Sequence, residues 1–106
     1  MTDKIVVFST ASSAEEAEKI ARGLVDQRLA ACVNVVPGLR SYYRWQGKIE
    51  DAAEFLLVIK STRERFDTLR TLLGKLHSYE VPEVIAMPVV DGAQNYLNWM
   101  DGELGA

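Results

Sequence analysis

The sequence contains one cysteine and one histidine, and it has no long hydrophobic run. A single cysteine, Cys32, excludes an intrachain disulfide and fits a reducing compartment. The N-terminal segment has an apolar run of only four residues, IVVF, which is too short for the hydrophobic region of a signal peptide. No stretch is long enough to span a bilayer. We therefore expect a cytoplasmic protein.

Basic clusters and catalytic signatures are also missing. The formal net charge is −3 and the pI is about 5.1, with lysine and arginine scattered along the chain. This charge disfavours nucleic acids and anionic membranes as partners. The sequence has no GxGxxG, GxxxxGK[ST], GxSxG or HExxH motif. With the sole histidine in a predicted connector, it also offers no nucleophile triad, and we expect no enzyme.

What is present predicts one domain covering residues 1–106. Two continuous apolar runs, Ile5–Phe8 and Phe55–Ile59, are typical of central strands that are buried on both faces. A serine followed three residues later by glutamate predicts a helix start at Ser12-Ser13, with Glu15-Glu16, and a second one at Ser61, with Glu64. Apolar residues at helical spacing follow each start, so two amphipathic helices are expected.

The stretch from Ala31 to Lys60 predicts a long hairpin. Gln46-Gly47 is suited to a tight turn, because glycine adopts positive φ freely. Pro37-Gly38 predicts a bulge in the first arm, and Asp51-Ala52-Ala53 predicts a weak point in the second. Arms of this length exceed the usual ~5–6 residues of a strand. We expect the hairpin to project from the domain.

The last third of the chain predicts one more strand and a closing helix. Pro88 lies inside the apolar run Val84–Val90 and confines that strand to an edge, because proline cannot donate to a ladder. A short helix containing Tyr96 to Met100 should follow, with residues 101–106 as a mobile tail. The order is βαββαβ plus a helix. It predicts an α+β, ferredoxin-like sandwich with the first and third strands central in an antiparallel sheet and both preceding helices on one face.

That fold leaves one sheet face and two edges uncovered, which favours a closed oligomer. The motifs AACVNVVPGLRSYYRWQGKIE, LHSYEVPEVIAMPV and YLNW resemble the CutA family, the divalent-cation tolerance proteins, from Ile5 to about Met100. This resemblance implies a homotrimer whose edge strands and hairpins interlock, and a non-enzymatic role in divalent metal (copper) tolerance. Aromatic residues on a projecting hairpin and closing helix are then expected at the trimer interface: Tyr42, Tyr43, Trp45 and Trp99.

Cys32 and His77 are the candidate metal ligands, for copper or zinc, with no cofactor required for folding. The thiolate of Cys32 suits Cu(I), although a free cysteine is more often a small buried apolar residue. The resemblance adds weight to Cys32, since the ACVN position has been connected with copper in some members. His77 matches the family's histidine before Tyr-Glu-Val-Pro, with Ser78 where proline is common, but it could equally cap the preceding helix. One histidine makes no strong site alone, so ligands such as Glu80 or Glu83, or residues of neighbouring subunits, would be needed.

Two further sets of charged residues remain open at this point. Arg44, Lys48 and Lys60, with Glu80, could form an anion cleft between subunits, as in trimeric PII-like sensors of the same fold. Together with Arg40, the same cations could instead pair with Glu50, Glu54 and Glu80. The acidic set of Glu50, Asp51 and Glu54 could bind a hard divalent ion, but a solvated strand face is the more common outcome. A ligand-free structural or adaptor trimer is the third functional alternative.

Overall fold

The computed structural model describes Thr2 to Gly105. It contains four strands and three α-helices, with a single 3₁₀ turn before the second helix. Along the chain these are β1 (Lys4–Ala11), α1 (Ala14–Asp26), β2 (Cys32–Trp45), β3 (Lys48–Thr62), α2 (Phe66–Leu76), β4 (Ile85–Pro88) and α3 (Gln94–Leu104). The predicted α+β fold and element order are confirmed.

The sheet is antiparallel with the strand order β2-β3-β1-β4. β1 and β3 are central, as their continuous apolar runs predict, and Pro88 lies on the edge strand β4. Alternate residues of the central strands, such as Val7, Leu57 and Ile59, are fully buried against the helices. From α1 and α2, Ile20, Leu24, Leu69 and Leu73 complete this core.

The hairpin of β2 and β3 projects beyond β1. Ala11, the last residue of β1, pairs with Phe55, so the part of the hairpin from Leu39 to Glu54 lies past the end of the central strand. Positive φ angles of 50° at Gln46 and 81° at Gly47 make the predicted tight turn. The register shift between Val36 and Leu39 is the predicted bulge. The molecule accordingly measures 45 Å along its longest axis against 25 and 24 Å across.

The start of α1 is as predicted: Ser13 is the N-cap residue, and its hydroxyl accepts a hydrogen bond from the backbone N–H of Glu16. The second predicted helix start is wrong. Ser61 belongs to β3, is fully buried, and donates its hydroxyl to the Leu29 carbonyl at 2.6 Å. α2 begins only at Phe66, after the 3₁₀ turn, with no side-chain cap.

Two expectations about continuity are also wrong. The ladder between β2 and β3 runs without interruption through Asp51-Ala52-Ala53. Residues 101–104 of the expected mobile tail form the last turn of α3, where Leu104 is buried with Ala31 and Met100. The carbonyl groups at this helix end accept hydrogen bonds from Arg28 and Arg65.

Candidate functional site

A groove of about 520 Å³ lies between the projecting hairpin and the connector, residues 77–84, that joins α2 to β4. We call it the aromatic groove. One side is formed mainly by hairpin residues, which are Ser41, Tyr42, Tyr43, Trp45 and Glu54. The other side is formed by connector residues, which are Tyr79, Glu80, Val81, Pro82 and Glu83, with Thr10 at the end of β1. Volumes of this size are typical of small-molecule sites.

The strand register places one face of the hairpin in this groove. Leu39 pairs with Glu54 and Trp45 with Lys48, so Leu39, Tyr43 and Trp45 share the face of Glu54. This is the sheet face opposite the helix-covered core, since Glu54 and the buried Leu57 differ in parity along β3. The aromatic rings therefore lie beside a carboxylate on a surface that α1 and α2 leave uncovered.

Glu54 is the buried polar centre of the groove. It is only 6% exposed, and its Oε2 accepts a hydrogen bond from the Tyr79 hydroxyl at 2.6 Å. Burial and the hydrogen bond to the Glu54 carboxylate both raise the pKa of the Tyr79 phenol. Tyr79 therefore remains a neutral donor at physiological pH. The expectation that Glu54 belongs to a solvated strand face is wrong.

The connector is fixed to the domain through His77, whose side chain is fully buried. Its Nε2 lies 2.6 Å from the Thr10 carbonyl, and its Nδ1 accepts the Tyr79 backbone N–H at 3.0 Å. These two contacts define the neutral Nε2–H tautomer, because Nε2 must donate and Nδ1 must accept. A metal ion at Nδ1 would have to displace the Tyr79 N–H.

Glu16 provides a second attachment for the connector. Its Oε2 accepts the Ser78 backbone N–H at 2.7 Å and lies 4.0 Å from Nδ1 of His77. Burial alone would raise the pKa of Glu16, but hydrogen bonds from Ser78 and Ser12 outweigh it and lower that pKa. The first turn of α1 thus holds the wall of the aromatic groove in place.

Cys32 lies at the other end of the sheet. It is half-buried at the start of β2, and its Sγ is 3.9 Å from Nζ of Lys60. Lys60 also donates to Oδ1 of Asn34. Cys32 pairs with Lys60, whereas Thr10, the partner of His77, pairs with Leu56. At about 3.3 Å per residue, these positions on β3 are roughly 13 Å apart, so one ion could contact both candidate ligands only if two chains supplied them.

The other charged candidates are dispersed. Arg44 and Lys48 lie on the hairpin, whereas Lys60 lies beside Cys32 and Glu80 lies in the wall of the aromatic groove. A single chain therefore does not bring these four residues together into the predicted anion cleft. Arg40 pairs with Asp51 at 2.6 Å. The other three cations, Arg44, Lys48 and Lys60, form no ion pair with Glu50, Glu54 or Glu80 between Thr2 and Gly105. The predicted pairing of these cations with these glutamates is therefore wrong within a chain.

The acidic residues that could have bound a hard divalent ion do not form a site within the chain either. Asp51 and Glu54 have opposite parity on β3, and Asp51 is engaged by Arg40. Across the described residues there is no group of three or more histidine, cysteine, aspartate or glutamate side chains that could hold a metal ion. Any metal site built from this chain would need ligands from another copy.

The aromatic residues expected at a trimer interface are exposed. Tyr42 is 71% exposed, and Tyr43 and Trp45 are each nearly half exposed at the hairpin. Trp99 lies on α3, where its ring centroid is 5.5 Å from that of Tyr96. The uncovered sheet face continues this apolar surface along the domain with Val36, Ile85 and Met87.

Two contacts of the site escaped the sequence reasoning. The contact of Glu54 with Tyr79 and that of Glu16 with Ser78 join positions 25 and 62 residues apart. No local pattern reports such distant pairs. Glu16 was predicted only as a helix-cap residue, which is a role its other carboxylate oxygen does play by accepting the Ser12 N–H.

Comparison with known proteins agrees with this architecture. The family model described as the CutA1 divalent ion tolerance protein matches residues 5–103. The chain belongs to the CutA1 family. The divalent-cation tolerance protein CutA of Thermus thermophilus is 47% identical over 94% of this chain and 97% of its own length. A role in divalent ion tolerance, predicted from the resemblance, is supported by this CutA1 membership.

Solved CutA structures share the fold closely. The crystal structure of CutA from Xylella fastidiosa superposes with a TM-score of 0.95 at 45% identity, covering 97% of this chain and 99% of that one. The structure described as the periplasmic divalent cation tolerance protein CutA from Archaeoglobus fulgidus gives 0.93 at 40% identity, with 95% and 98% coverage. In this CutA1 chain, no helix within residues 2–105 combines the length and apolar character needed to cross a membrane.

Proposed function

We propose that this CutA1 chain acts as a cytoplasmic, non-enzymatic homotrimer that contributes to divalent metal tolerance by weak copper or zinc binding. The observation that carries the trimer is the uncovered face of the sheet. On that face Ile85 is 53% exposed and Val36 43%, so large apolar side chains occupy positions where a solvated face of an antiparallel sheet would carry polar ones. Packing such faces around a common axis would cover them all.

The two sheet edges support the same proposal. β2 and β4 are the edge strands, and among residues 2–105 no further strand pairs with their outer edges, which could therefore pair with another copy. The exposed rings of Tyr42, Tyr43 and Trp45 project next to the β2 edge, where a neighbouring chain would bury them. Trp99 of α3 would join this interface. We propose neither a nucleic acid nor a membrane as a partner, because the net charge is −3.

The metal part of the proposal rests on Cys32. The thiol is half-buried on the uncovered sheet face, 3.9 Å from Nζ of Lys60, and a cysteine sulfur is the soft ligand that Cu(I) and zinc prefer. Additional ligands would come from neighbouring subunits. His77 would join such a site only by giving up its contact with the Tyr79 N–H.

Light scattering tests the assembly. A particle of three times the 11.8 kDa chain mass is expected, and a well-folded single chain would contradict the proposal. Titration with Cu(I), Cu(II) and Zn(II) by calorimetry tests the metal site in Cys32→Ala and His77→Gln variants. Ser41→Ala, a change on the same strand that removes no thiol, is the control. Binding that is equal in all variants would exclude both residues as ligands.

A further inference from the structure

Lys60 carries a positive charge that no carboxylate of its own chain neutralises. The side chain is half-buried on β3, and within the described part of the chain its ammonium group forms no ion pair. Charges withdrawn from water are usually paired. Lys4, which is also shielded from solvent, follows this rule and pairs with both Asp3 and Asp101. Lys60 is therefore an exception that calls for a reason.

The ammonium group of Lys60 is held by a sulfur atom and an amide oxygen. Its Nζ lies 3.9 Å from Sγ of Cys32 and donates a hydrogen bond to Oδ1 of Asn34. The strand register produces this arrangement, because Cys32 pairs with Lys60 and Asn34 follows two residues later on the same face of β2. Two possible metal ligands thus converge on one position, and the protein's own cation occupies it.

The neighbouring helix α3 supplies no negative charge at this position. Burial, with a further contribution from nearby Cys32, raises the pKa of the Tyr96 phenol. The phenol is therefore uncharged at physiological pH. An ion that approaches Cys32 meets the positive charge of Lys60 without a compensating anion from α3.

These residues do not fit a metal ion unless Lys60 moves. Zinc–sulfur bonds measure about 2.3 Å, so an ion bonded to Sγ on the side of Asn34 cannot share that space with the ammonium group. On another side of the sulfur the ion would still lie near a full positive charge, and Coulomb repulsion falls only with the inverse of distance. A metal at Cys32 must therefore displace Lys60 or bind against its charge.

We propose that Lys60 is an internal competitor for metal ions at Cys32, because its ammonium group occupies the space between Sγ of Cys32 and Oδ1 of Asn34. This inference rests on the proposed function, in which Cys32 is a metal ligand. Displacing Lys60 breaks both of its contacts, and that loss reduces the net affinity for the metal. The contact between Lys60 and Asn34 is thus autoinhibitory, and the site fills only when metal is abundant.

Anaerobic calorimetric titration of the assembled oligomer with Cu(I), and separately with Zn(II), tests the proposal. Lys60→Met removes the charge with little change in side-chain length, and it should tighten binding by about tenfold or more, equivalent to about 1.4 kcal/mol. Lys60→Arg keeps the charge and should bind no more tightly than the parent. Lys48→Met removes an exposed lysine at the other end of β3 and should leave binding unchanged. If Lys60→Met fails to assemble, Lys60→Gln provides the same comparison.

A double variant, Cys32→Ala with Lys60→Met, locates the effect. The gain in affinity should disappear in this variant, because the competition occurs at the sulfur. The same set separates this inference from the proposed function. A parent protein that binds no metal, together with a Lys60→Met protein that binds through Cys32, would support the competition and contradict the proposed weak binding.

Four results would overturn the inference. Equal affinity of the parent and Lys60→Met would show that the ammonium group does not compete. Weaker binding by Lys60→Met would show that the charge assists the metal by favouring the thiolate. A gain that persists without Cys32 would place the metal elsewhere. The absence of Cys32-dependent binding in every variant would refute both the inference and the proposed metal site.

Discussion

Removing the hydroxyl of Tyr79 should destabilise the protein measurably. In Tyr79→Phe the ring remains, but Oε2 of Glu54 loses a donor at 2.6 Å while the carboxylate stays only 6% exposed. Hydrogen bonds to charged groups contribute about 1.5–3 kcal/mol, and a buried acceptor left unsatisfied carries its full desolvation cost. We expect the free energy of unfolding to fall by about 2 kcal/mol.

Urea unfolding at fixed protomer concentration measures this loss, because the stability of an oligomer depends on concentration. Tyr96→Phe is the matched control. Tyr96 is 42% exposed, and its hydroxyl makes no hydrogen bond within residues 2–105, so its variant should stay within about 0.5 kcal/mol of the parent. A Tyr79→Phe protein as stable as the control would refute the view that Glu54 is a buried acceptor that depends on the Tyr79 hydroxyl.

A double-mutant cycle separates this contact from other effects. If Tyr79 acts through Glu54, the losses in Tyr79→Phe and Glu54→Gln should not add in the double variant. The expected coupling is about 1 kcal/mol or more, as for residues in direct contact. Additive losses would mean that each side chain acts through other neighbours.

Four further substitutions test the fold. Gly47→Ala should lower the free energy of unfolding by about 1–2 kcal/mol, because φ is 81° at Gly47. Gly74→Ala, at an open position of α2, should instead raise it by up to about 1 kcal/mol. The urea unfolding midpoints of the two variants test this difference. Hydrogen bonds to Asp101 and Asp3 raise the pKa of Lys4 above its ordinary value of 10.5. The stability that Lys4 contributes is therefore complete below pH 10.5 and is lost as the pH rises through the raised pKa. Lys4→Gln should remove this loss of stability at alkaline pH, which urea unfolding at several pH values would measure. Leu73→Ala, in the core, should cost about 2–5 kcal/mol in thermal or urea unfolding. Losses below about 1 kcal/mol there would contradict the assigned core.

The sequence predicted those features that depend on local chemistry. The Gln46-Gly47 turn and the Pro37-Gly38 bulge follow from backbone preferences of a few adjacent residues, and both are present. The central position of β1 and β3 follows from their continuous apolar runs. Such signals are contained within a short window, so they can be recognised without the rest of the chain.

The errors arose where distant contacts decide the outcome. Ser61 has the sequence pattern of a helix cap, but pairing with β1 and the bond to Leu29 keep it in β3. Residues 101–104 have little sign of order in sequence, yet burial of Leu104 extends α3 over them. Glu54 was predicted to lie on a solvated strand face. Its partner Tyr79 is 25 residues away, so no local pattern could reveal their hydrogen bond. The aromatic groove depends on that contact and could not be derived from spacing.

The central position of β1 has a consequence for synthesis on the ribosome. β1 is made early, but its neighbours are β3 and β4, which lie about 50 residues or more later in the chain. At about 5–20 residues per second, its apolar residues await a partner for roughly 3–10 s. During that interval Ile5, Val7 and Phe8 are exposed to other nascent chains. Synthesis of β3 ends this exposure, because β3 pairs with β1 along the whole length of the strand.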